Sequence, residues 1–180
     1  MIDQLTEAFG ICKNANCECN INLFYESTSE SEIFIYDEDT IGKELPSSMV
    51  NSDSYNQIKL VNEEEKDIIF IKIDQCLIID NKIRKCDCAI INQDNFIFIE
   101  IKDVKTKQRK IARKEAIAQL TSTIELFLDK IDFTNLQLFA VIGFKTLRPY
   151  VVQPSKNTQR AIFKSKYNIE LQEGSQIVLS

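Results

Sequence analysis

"KCDCAIINQDNFIFIEIKD", residues 85–103, is the stretch that decides the fold. β-branched and aromatic residues dominate its two apolar runs, and the polar "NQDN" between them is typical of a turn. The stretch therefore predicts a β-hairpin. If Ile91 faces Phe96 across the turn, the same register sets Asp87 directly opposite Glu100.

This register would bring two carboxylates together. Side chains alternate along a strand, so Asp87, Glu100 and Lys102 share one face of the sheet. Opposed Cβ atoms lie about 4.5–5.5 Å apart, and like charges at that spacing are destabilising. A divalent cation such as Mg²⁺ held by both carboxylates would offset the repulsion. The spacing leaves a second interpretation open, in which the acids lie at an exposed strand end beside lysine countercharges, and a slip by one residue would separate them.

The sequence changes its hydrophobic period after the hairpin. Apolar residues at steps of three or four predict an amphipathic helix over about residues 108–130, with one face against the sheet. The residues that set this period are Ile117, Leu120, Ile124, Phe127, Leu128 and Ile131. A buried strand, "LQLFAVIGF", follows. Strands, then a helix, then another apolar strand indicate an α/β (α+β) fold with a mixed central β-sheet flanked by helices.

The other segments are assigned by the same patterns. Strands are expected at 21–27, 31–39, 67–73, 75–80 and 175–180, helices at 2–12 and 158–167, and an extended segment at 148–154. Residues 41–62 contain Gly42, Pro46 and several Ser and Asn, and are expected to hold a loop and a short helix.

Charge is segregated along the chain, whose net charge is −5. Residues 102–114 contain seven basic residues and one acidic residue, whereas residues 26–65 contain eleven acidic residues and two lysines. The basic run predicts contacts with nucleic-acid phosphates through Lys105, Lys107, Arg109, Lys110, Arg113 and Lys114. A solvated helix start is the alternative for this run. The acidic half is interpreted as a solvated surface, as a contact for a basic partner, or as a cover that competes with nucleic acid for the basic helix.

Histidine is absent, which excludes mechanisms that need an imidazole and leaves carboxylate and lysine chemistry with a hard cation. No run is apolar enough to span a membrane, and the N-terminus lacks the pattern of a signal peptide, so the chain is expected to be cytoplasmic. The six cysteines are expected to be reduced and to act as small buried hydrophobes. Two Cys-x-Cys pairs, Cys17/Cys19 and Cys86/Cys88, leave a zinc site as the less favoured reading.

Asp87, followed by Glu100-Ile101-Lys102 late in the next strand, resembles the motif of the PD-(D/E)XK nuclease superfamily, which has the restriction-endonuclease-like fold. The helix and the apolar strand after Lys102 match the core order of that family. The resemblance covers about residues 66–145. The length of 180 residues and the hydrophobic content of 44% predict a single domain, 1–180. With the resemblance, this domain divides into an acidic N-terminal elaboration at 1–65, a nuclease-like core at 66–145 and a C-terminal extension at 146–180.

The resemblance also implies roles for individual residues. Asp87 and Glu100 would bind Mg²⁺ or Mn²⁺ together with the backbone carbonyl of Ile101, and Lys102 would be the catalytic lysine. Gln119 matches a glutamine that some branches carry on the following helix. Thr123 stands where those branches have tyrosine, and Cys86 stands where proline is common. Glu7 and Glu63–Glu65 are the candidates for a further upstream acid.

The activity implied is metal-dependent hydrolysis of phosphodiester bonds in a nucleic acid, DNA rather than RNA, in a setting such as bacterial restriction, repair or defence against phage. A protein partner or a homodimer is expected to help such a small chain find its target. The alternative is a non-catalytic interaction or immunity-type protein on the same scaffold, which binds a basic protein partner.

Overall fold

The computed structural model describes residues 1–9, 24–37, 47–50, 58–145, 150–154 and 158–179. Its helices are α1 (Ile2–Phe9), α2 (Arg109–Lys130) and α3 (Thr158–Tyr167), with a 3₁₀ turn at Thr106–Gln108. Its strands are β1 (Tyr25–Thr28), β2 (Glu32–Tyr36), β3 (Ser48–Val50), β4 (Ile58–Asn62), β5 (Ile68–Lys72), β6 (Cys88–Ile91), β7 (Asn95–Lys102), β8 (Gln137–Phe144), β9 (Gln153–Pro154), β10 (Glu170–Gly174) and β11 (Gln176–Leu179). The chain is a mixed α/β protein.

The strands form two mixed sheets. The larger sheet has seven strands in the order β1-β5-β6-β7-β8-β10-β9, and the smaller has four in the order β11-β4-β2-β3. From β5 to β7 the neighbours are antiparallel, whereas β8 lies parallel to β7 and β10 parallel to β8. Helix α2 connects β7 to β8, and α3 lies between β8 and β10 in the chain, which gives two crossover connections.

The β6–β7 hairpin adopts the predicted register. Ile91 pairs with Phe96 and Cys88 with Ile99. The turn is closed by the Asn92 side chain, whose Oδ1 accepts the backbone N–H groups of Asp94 and Asn95 at 3.1 and 2.7 Å. Such local hydrogen bonds from asparagine stabilise tight turns. The prediction of the hairpin is therefore confirmed at the level of individual residue pairs.

The two faces of the larger sheet are buried against different layers. Ala89, Phe96 and Phe98 pack in a core with residues of all three α-helices, among them Leu5, Phe127 and Phe163. The opposite face, which includes Cys88, Ile90, Ile97 and Ile99, packs against the smaller sheet. Helices therefore cover one face and a second sheet covers the other, so the expectation of a sheet flanked by helices holds for one face only. Burial on both faces explains why the β6 and β7 sequences are almost continuously apolar.

Several local predictions were wrong. Residues 41–62 hold strands β3 and β4 in their described part, where a loop and a short helix were expected. Residues 75–80 form a turn, with an isolated bridge between Asp74 and Ile78, because Gln75 has a φ of 58° that interrupts an extended strand. Strand β10 was not predicted. On α2, Leu128 is 40% exposed, and small side chains such as Ala112 and Ala116 contribute instead to the buried stripe.

The segments at both ends of the sequence contribute strands to both sheets. Residues 1–65 supply β1 to the larger sheet and β2–β4 to the smaller one, and residues 146–180 supply β9 and β10 to the larger sheet and β11 to the smaller. No helix in the described ranges has both the length and the apolar character needed to cross a membrane.

Candidate active site

Asp87 and Glu100 lie on the helix-covered face of the larger sheet, where the hairpin register placed them. Asp87 comes one residue before β6, and Glu100 lies in β7 one residue beyond the last ladder pair. Both are buried, with 7% of Asp87 and 0% of Glu100 exposed. The Asp87 carboxylate accepts the backbone N–H of Ile101 in a short hydrogen bond through Oδ2. The two strands therefore hold the acids side by side on a rigid support.

Lys102 forms an ion pair with Glu100 at the end of β7. Its Nζ lies 2.6 Å from Oε1 of Glu100, and its side chain is 19% exposed. The second carboxylate oxygen of Glu100, Oε2, is buried and has no hydrogen-bond partner among the residues that the structure describes. A buried oxygen without a partner is costly and calls for a structural or functional explanation.

Gln119 on α2 connects Lys102 to the segment that leads into β6 and carries Asp87. Its Oε1 accepts a hydrogen bond from Lys102 Nζ at 2.9 Å, and its Nε2 donates to the backbone carbonyl of Lys85 at 3.2 Å. Both ends of the amide are used, so the orientation of the Lys102 ammonium group is fixed by the helix as well as by Glu100. The structure thus brings together all four residues predicted to act in catalysis.

The burial of these groups changes their affinity for protons. Burial, then the charges of Glu100 and Asp37, raise the pKa of Asp87 well above its usual range. Burial raises the pKa of Glu100 from 4.5 to about 8, although Lys102 acts in the opposite direction. For Lys102, burial lowers the pKa, but the carboxylates of Glu100 and Asp87 outweigh it and the net shift is upward. Without a cation the site therefore favours the protonated, uncharged forms of the two carboxyl groups, and a bound cation would favour their ionised forms.

Two further acids influence the site electrostatically, and sequence reasoning missed both. Asp37 raises the pKa of Asp87 and of Glu100, and Asp74 raises that of Glu100. Asp37 directly follows β2, and Asp74 comes two residues after β5. Acids just beyond an apolar strand are the sequence signal that could have identified them. The acids proposed for an upstream role, Glu7 and Glu63–Glu65, are exposed on the surface.

Thr123 and Cys86, the two positions that depart from the family pattern, contact each other. The backbone N–H of Cys86 donates to Thr123 Oγ1 at 2.8 Å, and the hydroxyl donates to the backbone carbonyl of Gln119 at 3.0 Å. Proline has no N–H and could not make the first of these bonds. The pair joins the start of β6 to α2, beside the predicted site.

The side chains of the site provide some, but not all, of the oxygen ligands that a hard cation needs. Two carboxylates, one of which has a buried oxygen with no described partner, are ligands of the type that Mg²⁺ prefers. The backbone N–H of Ile101 donates to Asp87. This hydrogen bond does not involve the Ile101 carbonyl, whose role as a metal ligand stays a prediction. Within the described ranges, no group of three or more carboxylate, thiol or imidazole side chains is arranged to hold a metal ion. A cation bound by Asp87 and Glu100 would therefore need water or substrate oxygens to complete its coordination.

The basic run divides into two groups. Arg113 makes a bidentate ion pair with Glu173, at 2.8–3.0 Å, and its guanidinium lies 5.7 Å from the centre of the Phe144 ring. Arg109 lies 5.1 Å from the same ring and donates to the Lys145 carbonyl. The four lysines are exposed and make no ion pair with another described residue: Lys105, Lys107, Lys110 and Lys114. The lysines are thus available to phosphates, whereas the two arginines also hold α2 against β8 and β10.

The described cysteines include both free thiols and a disulfide-bonded residue. Cys86 and Cys88 are buried and free, as expected. Cys76 is disulfide-bonded, so the prediction of a reduced thiol was wrong there. Cys12, Cys17 and Cys19 lie outside the described residues, and so does the prediction of a Cys17/Cys19 pair.

Comparison of the chain with models of protein families, with curated proteins and with solved structures gives no significant match. The chemistry of the site must therefore be argued from its own geometry.

Proposed function

We propose that the chain is a metal-dependent nuclease that hydrolyses phosphodiester bonds of DNA, with Asp87, Glu100, Lys102 and Gln119 as its active site. The observation that carries the proposal is the Glu100 carboxylate. It is fully buried, and Lys102 pairs with one of its two oxygens. It lies one residue beyond the β6–β7 ladder, as does a second buried acid, Asp87. A site that served stability alone would be better filled by apolar side chains.

The order of elements supports the same proposal. Three antiparallel strands, β5, β6 and β7, are followed by a helix and by β8 parallel to β7. The acid–Glu-x-Lys pattern occupies two neighbouring strands of this unit, as in the PD-(D/E)XK motif that it resembles. We infer that β5 to β8 form a restriction-endonuclease-like core, to which the smaller sheet is added.

Each residue has a defined role in this proposal. Asp87 and Glu100 hold Mg²⁺ or Mn²⁺, which when bound supplies a water of lowered pKa and stabilises negative charge on the phosphate. Lys102, kept in place by Gln119 and Glu100, presents its ammonium group to the phosphate or to the attacking water. The apolar layer on both faces of β6 and β7 keeps the two strands rigid and so fixes the spacing of the carboxylates.

The test is a cleavage assay on purified protein. Linear, circular and single-stranded DNA, and RNA, are incubated with Mg²⁺, Mn²⁺ or EDTA. Glu100→Ala and Lys102→Ala should lose activity, because each removes a group that contacts the metal or the phosphate. Glu30→Ala and Lys130→Ala, which change exposed residues of the same types, should cut like the parent.

The proposal fails if no substrate is cut with either metal, or if Glu100→Ala and Lys102→Ala cut as well as the parent. In that case the non-catalytic interaction protein takes its place, and affinity capture with a basic protein partner would be the next measurement.

A further inference from the structure

A cavity is lined in part by Gln119, the residue that accepts a hydrogen bond from Lys102. Its volume is about 350 Å³, and it is bounded by the 74–85 segment and by Glu115 and Gln119 of α2. Because Gln119 contacts Lys102 and also lines this cavity, the cavity opens directly beside the proposed active site. Volumes in this range accommodate one small organic group rather than a length of duplex.

The wall of the cavity is polar and close to electrically neutral. Asp74 and Glu115 balance Lys85 and Arg84, and Gln75, Asn81 and Gln119 provide amides. Surfaces that bind the phosphate backbone carry an excess of positive charge, which this cavity does not have. Amides both donate and accept hydrogen bonds, and they are the groups that read the edges of nucleobases.

Lys85 is committed to the protein rather than to a ligand. The Lys85 side chain is only 5% exposed, and its Nζ lies 3.2 Å from Asp74 Oδ1. The same Nζ donates hydrogen bonds to the Asp80 carbonyl at 3.2 Å and to Asn81 Oδ1 at 3.3 Å. These contacts fix the 74–85 segment as one wall. Arg84 is exposed and makes no ion pair with another described residue, so its planar guanidinium group is available to stack on a base.

We propose that this cavity binds one unpaired nucleobase of the DNA, next to the phosphate that is cut. The inference rests on the proposed nuclease function and names its substrate class: DNA that is single-stranded, or a duplex with an unpaired nucleotide. Continuous duplex DNA cannot place a base there without first unpairing it, which costs free energy. The exposed lysines at the start of α2 hold the neighbouring phosphates.

The test measures binding instead of cleavage. Fluorescence anisotropy is recorded without divalent cations on three labelled duplexes: one continuous, one with a single bulged nucleotide, and one with the same bulge but lacking its base. The bulged duplex should bind about tenfold more tightly than the other two, since amide contacts to a base edge carry discrimination of that order. The duplex without the base controls for flexibility alone.

Variants locate the effect in the cavity. Arg84→Ala and Asn81→Leu should reduce the preference for the bulge to less than about threefold, while Lys130→Ala, an exposed residue at the far end of α2, should keep it. Arg84→Ala removes an exposed side chain that has no ion-pair or hydrogen-bond partner among the described residues, so it remains informative if Asn81→Leu disturbs the 74–85 segment.

The inference is overturned if the three duplexes bind equally, if Arg84→Ala keeps the full preference, or if no DNA binds. Retention of the bulge preference by a protein that cuts no substrate would support the cavity and refute the proposed nuclease function alone. Cleavage of continuous duplex without any bulge preference would refute the cavity alone.

Discussion

Replacement of Glu100 by glutamine should stabilise the protein near pH 9 in the absence of metal ions. Glu100 is fully buried, one of its oxygens has no described partner, and its pKa is raised to about 8. A carboxylate with a raised pKa in the folded state lowers stability as pH rises from its unfolded value, near 4.5, through about 8. Above that range the ionised group costs about 5 kcal/mol, at roughly 1.4 kcal/mol per pKa unit.

Glutamine removes this cost but introduces one of its own. Its amide has the same shape but loses the ion pair with Lys102, which retains Gln119 as an acceptor. A buried amide without full hydrogen bonding costs about 1–3 kcal/mol. The expected net effect of Glu100→Gln is therefore a gain of about 3 kcal/mol near pH 9 and a loss of about 1 kcal/mol near pH 5, where the carboxyl is protonated in the folded state and the cost that glutamine removes is only about 1 kcal/mol.

Urea unfolding in EDTA at these two pH values measures the effect, with Glu30→Gln as the control for an exposed acid. Addition of Mg²⁺ near pH 9 should stabilise the parent and leave Glu100→Gln unchanged, because a ligand stabilises only the state that binds it. A variant that is less stable than the parent near pH 9, or a parent whose stability does not decline from about pH 5 to pH 9, would refute the reasoning.

The remaining predictions concern the supports of the site. Thr123→Val should lower the free energy of unfolding by about 1–3 kcal/mol, because the buried N–H of Cys86 loses its acceptor, whereas Thr123→Ser should behave like the parent in urea unfolding. Arg113→Ala should cost about 1–2 kcal/mol by removing the bidentate ion pair with Glu173, and an unchanged midpoint of unfolding would contradict that structural role. Lys110→Ala should leave stability unchanged but lower the salt dependence of DNA binding by about one phosphate contact, measured as the slope of log affinity against log salt.

Local sequence pattern predicted much of this structure. Alternation of side chains predicted the β6–β7 register and which residues lie on each face of the hairpin, and the helical period predicted the extent of α2. Each of these features depends only on neighbours within one element or one hairpin. The approach of Gln119 to Lys102 was also predictable, since a helix that follows directly on β7 packs back on its own strand.

Long-range packing accounts for what the sequence did not predict. Strand β10 contains Glu170, Gln172 and Glu173 around one buried leucine, and it forms only because β8 and β9 provide partners on both sides. The smaller sheet joins β4 to β11 in parallel across more than half of the chain. Asp37, at the end of β2, acts on the site through that packing, and no local pattern links it to Asp87.

The central claim is that Asp87 and Glu100 share one divalent cation, and Mn²⁺ located by anomalous scattering in crystals of the protein tests it most directly. The account predicts a single strong peak within coordination distance of a carboxylate oxygen of each residue, lost in Glu100→Gln. A peak elsewhere on the chain, or none at saturating Mn²⁺, would contradict it.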